Sequence, residues 1–293
     1  MQFLEQLING LSLGSVYALI ALGYTMVYGI AKMLNFAHGD IIMVGSYVVF
    51  FTFARSGMNP VLSILIAMAV CLILGVLIER VAYKPLRGAS SLAVLITAIG
   101  VSYLLEQVAQ LAWSSNPKTF KSVVTMPPVS IAGGALVISG ETIVTVLVCI
   151  LIMVALMWFV NNTKSGHAMQ AVSEDRGAAQ LMGINVNATI SLTFAIGSAL
   201  AAVAGALLNS SFATLTPLTG AMPGIKAFTA AVFGGIGSIP GAFVGGILLG
   251  IIENLSKAYI STQLSDAIVF LVLIIVLLVK PTGLLGKKIN VKV

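Results

Sequence analysis

Long apolar runs constrain this chain more than any other feature. They extend from Leu7 to Ile30, Ile41 to Phe53, Val61 to Ile78, Leu92 to Ala112, Thr142 to Val160, Ile190 to Leu208, Gly224 to Ile252 and Leu264 to Val279. A helix needs about 20 apolar residues to cross about 30 Å of hydrocarbon. The runs are continuous and do not alternate with polar residues, which specifies helices and not barrel strands. Only 8% of the 293 residues are charged, against about 25% in soluble domains. A soluble fold of this size would leave large apolar patches in water, so a soluble enzyme and a disordered chain are both excluded. The expected fold is all-α: a polytopic helical integral membrane protein. Residues 1–293 form a single transmembrane domain with about eight membrane segments, some of them broken or re-entrant.

The net charge of +6 carries no basic run and no aromatic stripe, so it does not indicate nucleic acid. Its placement reports topology, because Lys and Arg concentrate in cytoplasmic loops. Arg80, Lys84 and Arg87 follow the third run; Lys280, Lys287, Lys288 and Lys292 close the chain. Both segments are expected inside, together with the loop from Asn161 to Thr189, which holds Lys164 and Arg176. The loop from Trp113 to Glu141 and the amino terminus then lie outside. The first residues lack the basic region of a cleaved signal, so the first run is expected to remain as a span.

Two interruptions stand out. Gly224 to Ile252 is broken by Gly234, Gly235, Gly237, Pro240 and Gly241. Each half has about 12 or 13 residues, too few to span alone. A re-entrant hairpin or a broken helix pair with its break at membrane depth is expected, followed by one true crossing at Leu264 to Val279, with Gly237 at a close backbone contact. Lys32 to Asp40 contains Asn35, His38, Gly39 and Asp40. It reads either as a tight polar connection at the membrane surface or as a discontinuous helix lining a pathway. Asp40 is placed to cap the helix that follows. Small residues recur four apart at Gly10 and Gly14, Ala201 and Gly205, Gly241 and Gly245, and Gly246 and Gly250, as expected for tightly packed membrane helices.

Catalytic parts are scarce. The sequence contains no Gly-x-x-x-x-Gly-Lys-Ser/Thr loop, no His-Glu-x-x-His and no Gly-x-Ser-x-Gly. His38 and His167 are far apart and suggest no metal set. Cys71 and Cys149 lie within apolar runs and read as small hydrophobes. Among ionisable residues in the runs, Glu106 is expected to snorkel outward, and Glu253 with Lys257 to pair at i, i+4. Lys226 and Asp266 sit near the starts of apolar segments.

The loop at about 161–189 is more specific. Gly166, Ala168 and Ala171, then Glu174 and Asp175, then Ala179, Leu181 and Gly183 suit a short amphipathic helix that Gly183 stops. A loop of this kind without catalytic residues suggests docking to a partner. Its pattern resembles the coupling loop of branched-chain amino-acid ABC importer permeases. Leu34-Asn-Phe-Ala-His-Gly-Asp40 with Gly45-Ser46-Tyr47, the stretch Gly224 to Gly241, and Lys280-Pro-Thr-Gly-Leu-Leu-Gly286 are similar to that family's landmarks. The resemblance is greatest to the LivH-type subunit, which pairs with a longer LivM-type permease.

That resemblance implies a type II-like ABC importer permease in the bacterial inner membrane. It implies a LivM-type partner, two cytoplasmic ABC ATPase subunits that hold ATP and Mg, and an external substrate-binding protein. This chain itself would carry no cofactor and no ATPase site. The coupling helix would lie at about Ser165 to Met182, and Ala179 would sit at the docking contact. His167 and Gln170 stand where the family pattern usually has basic residues, which weakens charge-assisted docking there. The implied cargo is leucine, isoleucine and valine. The alternatives are a related urea or short-amide importer permease and, further off, an ATP-independent carrier.

Overall fold

The computed structural model describes residues 2–131 and 136–286; Lys287, Lys288 and Lys292 lie outside the described residues. In chain order the helices are α1 Gln2–Ala31, α2 His38–Val49, α3 Pro60–Ile78, α4 Ser91–Trp113, α5 Gly140–Asn162, α6 Lys164–Glu174, α7 Arg176–Leu181, α8 Val186–Ser211, α9 Ala221–Gly234, α10 Ile239–Tyr259 and α11 Ser265–Val279. A π-type turn continues α2 over Phe50–Arg55, and another continues α3 over Glu79–Tyr83. Short strands β1 Lys118–Thr119, β2 Val129–Ile131, β3 Leu136–Ile138 and β4 Thr214–Leu215 pair β1 with β4 and β2 with β3, both antiparallel. Among the described residues, six helical segments are long and apolar enough to cross a membrane, among them α1, α4, α5, α8 and α10. The protein is a multi-pass helical membrane protein.

Local sequence sets where most of these helices begin. Asn59 ahead of Pro60 caps α3, Ser90 caps α4, Ser139 caps α5, Asn185 caps α8 and Ser238 caps α10. Each side-chain oxygen accepts from a first-turn amide that has no intrahelical partner. Helices α2 and α9 have no such cap; both begin inside the bundle.

Helix α1 is the axis of the fold and is buried from Gly14 to Val27. It lies antiparallel to α10. A Cβ on Gly14 would sit 2.6 Å from the Ile247 carbonyl oxygen, and one on Gly10 would sit 2.8 Å from the Ile251 Cα. Asn254 Nδ2 donates to the Gln6 carbonyl at 2.6 Å, which fixes the register at the far end. On the other flank, α2 lies against α8. A Cβ on Gly205 would meet the Ile42 carbonyl oxygen at 2.6 Å, and one on Gly45 the Ala202 Cα at 2.7 Å. The small residues four apart therefore serve as backbone contacts between helices. Cys71 and Cys149 are free and buried among apolar residues.

Of the re-entrant hairpin and the broken helix pair, the structure shows a pair of helices, and the expected depth of their break is corrected. Helix α10 continues to Tyr259 and has 21 residues, enough to cross by itself. Counting stopped at Ile252 because Glu253 and Lys257 follow, but both are paired within the bundle. The break at Gly235–Ser238 is the tight turn between α9 and α10. It faces Gly29, two residues before α1 ends. The closing segment clamps it: Leu284 N donates to the Phe233 carbonyl at 2.9 Å and Leu285 N to the Gly234 carbonyl at 2.8 Å. Gly234, Gly235, Gly237, Pro240 and Gly241 therefore lie at the bundle end that also carries α6 and α7, not at membrane depth. Gly237 is exposed and a Cβ there would meet only Gly29 Cα, at an ordinary 3.7 Å. Its requirement is conformational, a φ of +93°, not the expected close contact.

The backbone breaks at depth lie elsewhere. After Ala31, Lys32 turns at a φ of +53° and the chain doubles back along α1. His38 then lies against Gly23, eight residues before Ala31, or about 12 Å in from that end of α1. On the other side, residues 216–220 lead inward from β4, and α9 begins where Gly220 meets Gly39. A Cβ on Gly39 would sit 2.7 Å from the Gly220 carbonyl oxygen, and one on Gly224 3.0 Å from the Gly39 Cα. Two part-length helices thus start side by side inside the bundle. The segment from Asn35 to Asp40 therefore enters the bundle, and the tight connection at the membrane surface is not what is observed.

A single methyl group distinguishes tight from loose positions. Gly14→Ala is expected to destabilise the protein in detergent by about 1–3 kcal/mol through overpacking. Gly100→Ala, whose Cβ would meet nothing within 4 Å, leaves it unchanged or slightly more stable. Thermal unfolding of the two variants checks this; equal midpoints would contradict the packing of α1 on α10.

Candidate coupling face and pathway lining

Residues 163–184 form two helices, not the single helix expected over Ser165 to Met182. Thr163 caps α6 by accepting from Gly166 N at 3.0 Å. Met169 and Val172 bury one face, and Gly166 lies directly on the backbone of Phe159 and Val160. Asp175 ends α6 with an extended φ of −152° and caps α7, accepting from Gly177 N at 2.7 Å and Ala178 N at 2.9 Å. Gly183, at a φ of +83°, closes α7 as the sequence suggested.

Among the exposed residues here are Glu174, Asp175, Gly183, Leu181 at 90% and Met182 at 82%. Leu181 at the end of α7 and Met182 just after it thus hold two apolar side chains clear of the chain's own packing. Ala168 and Ala171 are half-buried, whereas Gly166 and Ala179 are buried against their own chain. Ala179 is therefore corrected: it anchors α7 to the bundle and presents nothing to a partner.

Arg176 connects α7 to the bundle. Its guanidinium donates to the carbonyl of Ala31, the last residue of α1. A cation there also complements the negative end of the helix dipole. Burial, and then the neighbouring Arg87 guanidinium, lowers the Arg176 pKa from its ordinary value. Arg87 pairs with buried Glu79 and donates to Asn187, while Glu79 accepts from Ser191 at 2.6 Å. A cavity of about 530 Å³ between α7 and the start of α8 is lined by Arg87, Arg176, Gln180, Asn185 and Asn187. Helix α7 is thus tied at its first residue to the hinge between α1 and α2, with open space beside it.

That hinge is polar and buried. Tyr83 Oη donates to Asn35 Oδ1 at 2.9 Å. The His38 ring lies 4.6 Å from the Tyr24 ring, and Gly39 meets Gly220. Asp40 does not cap α2. The helix begins two residues earlier, after Ala37, so Asp40 falls in its first turn. Its carboxylate faces Ser102 and Glu106 of α4. Glu106 is also corrected: it is 8% exposed and turned inward, not snorkelling.

One cluster escaped the sequence reading. Buried Glu253 accepts from Tyr17 Oη at 2.8 Å, Lys226 Nζ at 2.8 Å and Lys257 Nζ at 2.5 Å. Lys226 also pairs with Asp266 at 2.7 Å. Only the i, i+4 pair was visible, because the other partners come from α1, α9 and α11. Two cations and two anions neutralise one another, as charges in a bundle interior must.

Over residues 6–277 the sequence matches the family described as branched-chain amino acid transport system, permease component. The chain belongs to this family. It is similar to the high-affinity branched-chain amino acid transport system permease protein BraD of Pseudomonas aeruginosa, at 46% identity over 97% of this chain and 96% of that one. It is 45% identical to the permease protein LivH of Escherichia coli K12 over the same shares. A probable LivH of Methanocaldococcus jannaschii is 32% identical over 93% of this chain and 89% of its own length. The permease is thus matched nearly end to end, from α1 to α11.

Removing the tie between α7 and α1 has a local signature. In Arg176→Ala, amide exchange at the end of α1 is expected to accelerate roughly 5–30-fold, the effect of losing about 1–2 kcal/mol, with the centre of α8 unchanged. Hydrogen-exchange mass spectrometry measures this; unaltered exchange at the end of α1 would contradict the tie.

Proposed function

We propose that this chain is the membrane-spanning permease subunit of an ABC importer that carries leucine, isoleucine and valine into the cytoplasm. It sits in the bacterial inner membrane with its α6–α7 end inside. It pairs with a longer LivM-type permease and receives substrate from an external binding protein. Two cytoplasmic ATPase subunits hold ATP and Mg and supply the energy. The observation that carries the reading is the identity of 45–46% over 97% of the chain to permeases named for branched-chain amino acid transport.

The geometry supports it. Lys32, Arg80, Lys84, Arg87, Lys164, Arg176 and Lys280 gather at the α6–α7 end, which the positive-inside rule assigns to the cytoplasm. Leu181 and Met182 offer an apolar anchor to a groove on an ATPase. Movement of α7 then reaches the start of α2 through Arg176 and Ala31. ATP-dependent closure of the partners would bias the bundle between two arrangements, one open to each side.

Leu181→Glu is expected to abolish co-purification of the ATPase subunits and to reduce ATP-driven leucine uptake by at least about tenfold, equal to roughly 1.4 kcal/mol or more of docking energy. Insertion and folding stay normal because the side chain lies free of the bundle. Uptake at the unmodified rate in vesicles would contradict the docking role, as would recovery of this chain as an active transporter without partners.

A further inference from the structure

The seam between α2 and α4 holds acidic groups that the fold leaves without a counter-charge. Asp40 is 2% exposed and its Oδ2 has no hydrogen-bond partner. It faces Ser102 and Glu106, which stand one turn apart on the same face of α4. The ion pairs among the described residues use Glu79, Glu253 and Asp266, and none reaches Asp40 or Glu106. The contrast with Glu253 is sharp, since that carboxylate gathers two ammonium groups and a phenol. A buried carboxylate pair without a cation demands either a proton or a positive charge from outside the chain.

The same seam continues away from α7 toward the opposite end of the bundle. Tyr47, two turns beyond Asp40, is fully buried and its hydroxyl has no partner. Its ring stacks on Trp113 at 4.3 Å, and the Phe51 ring lies 6.1 Å from Trp113. Beyond these rings an open cavity of about 980 Å³ is lined by Phe50, Phe51, Arg55, Gln110, Trp113 and Lys118. Helix α4 is the lightly packed wall of the seam. It buries only Val94, Ala98, Glu106 and Ala109, so it can separate from α2 without dismantling the core.

We infer that the α2–α4 seam is the site where the permease holds its cargo in transit, with Asp40 and Glu106 receiving the α-ammonium group of an amino acid and Tyr47, Phe51 and Trp113 its branched side chain. The assignment rests on the proposed function and specifies where substrate touches this chain. A free amino acid fits because it brings the missing positive charge on three N–H donors, suited to Asp40 Oδ2, Glu106 and the Ser102 hydroxyl. Its apolar side chain suits the ring-lined throat. Neutral amides and sugars bring no such charge.

The test uses the full complex with both permeases, the ATPases and the loaded binding protein, reconstituted in vesicles with radiolabelled leucine. Asp40→Asn and Glu106→Gln keep size and hydrogen-bonding capacity but cannot carry negative charge. Each amide closely imitates a protonated acid, so the variants separate a charged site from a neutral structural pair. The expected result is co-purification of all subunits with leucine uptake reduced at least about tenfold in each variant, the scale of a hydrogen bond to a charged group. Uptake within about twofold of the unmodified complex in both would overturn the assignment, because charge would then be dispensable. Loss of assembly in both would also overturn it and give the carboxylates to the fold; if only Asp40→Asn fails to assemble, Glu106→Gln decides. A parent complex that assembles but takes up no leucine refutes the substrate reading itself, a different failure from a variant that loses transport its parent had.

Discussion

Close contact between helix backbones is the constraint on which this structure depends. Lipid tails are as apolar as leucine, so burying apolar side chains gives helices little reason to associate within a membrane. Gly10 and Gly14 let α1 press onto α10, Gly45 and Gly205 let α2 press onto α8, and Gly39 and Gly220 bring the two part-length helices together. At these contacts a methyl group would meet backbone atoms, which cannot rotate away as side chains can. Dispersion and weak polar contacts then act over many atom pairs at short range. The outer helices α3, α4, α5 and α11 bury less of their length and expose apolar side chains to the membrane.

Tight packing at the centre makes the discontinuities possible. Irregular backbone is tolerated at membrane depth only where protein or a water-lined cavity satisfies it. The chain from Asn35 into α2 and the segment before α9 meet that condition because α1, α2, α8 and α9 enclose them. Charge obeys a similar rule. Glu253, Lys226, Lys257 and Asp266 neutralise one another, and Glu79 is matched by Arg87. Asp40 and Glu106 depart from the rule at a single seam next to the broken helix. The departure lies where the lightly packed outer helix α4 meets α2, next to the open cavity, as a pathway built for a charged passenger requires.

Much of the architecture was legible in the sequence because membrane helices announce themselves through length and continuity. The bounds of α3, α4, α5 and α8 follow from apolar runs closed by Asn59, Ser90, Ser139 and Asn185. The positions of the part-length helices were harder to read. Glycine and proline mark a break but not its depth, so the Gly234–Gly241 turn was assigned to the wrong level. The motif around Asn35 to Asp40 signalled discontinuity, yet its partner, Gly220, gave no local sign. Charges were misread where their partners lie far away in sequence: Lys226 finds Glu253 from α10 and Asp266 from α11. The loop at about 161–189 reads as one helix in sequence, but Asp175 cuts it in two because its side chain caps the second helix.

A cross-linking measurement tests the central claim, that α2 starts inside the bundle beside α9, most directly. The Phe36 and Phe228 rings lie 5.5 Å apart, one just before α2 and one within α9. In a protein with Cys71→Ala and Cys149→Ala, cysteines replacing Phe36 and Phe228 are expected to be bridged by a short bifunctional thiol reagent. Membrane-impermeant reagents added from either side of the resting protein are expected to label position 36 poorly. Failure to bridge, together with rapid labelling of position 36 from one face, would place the turn at the membrane surface and contradict the account.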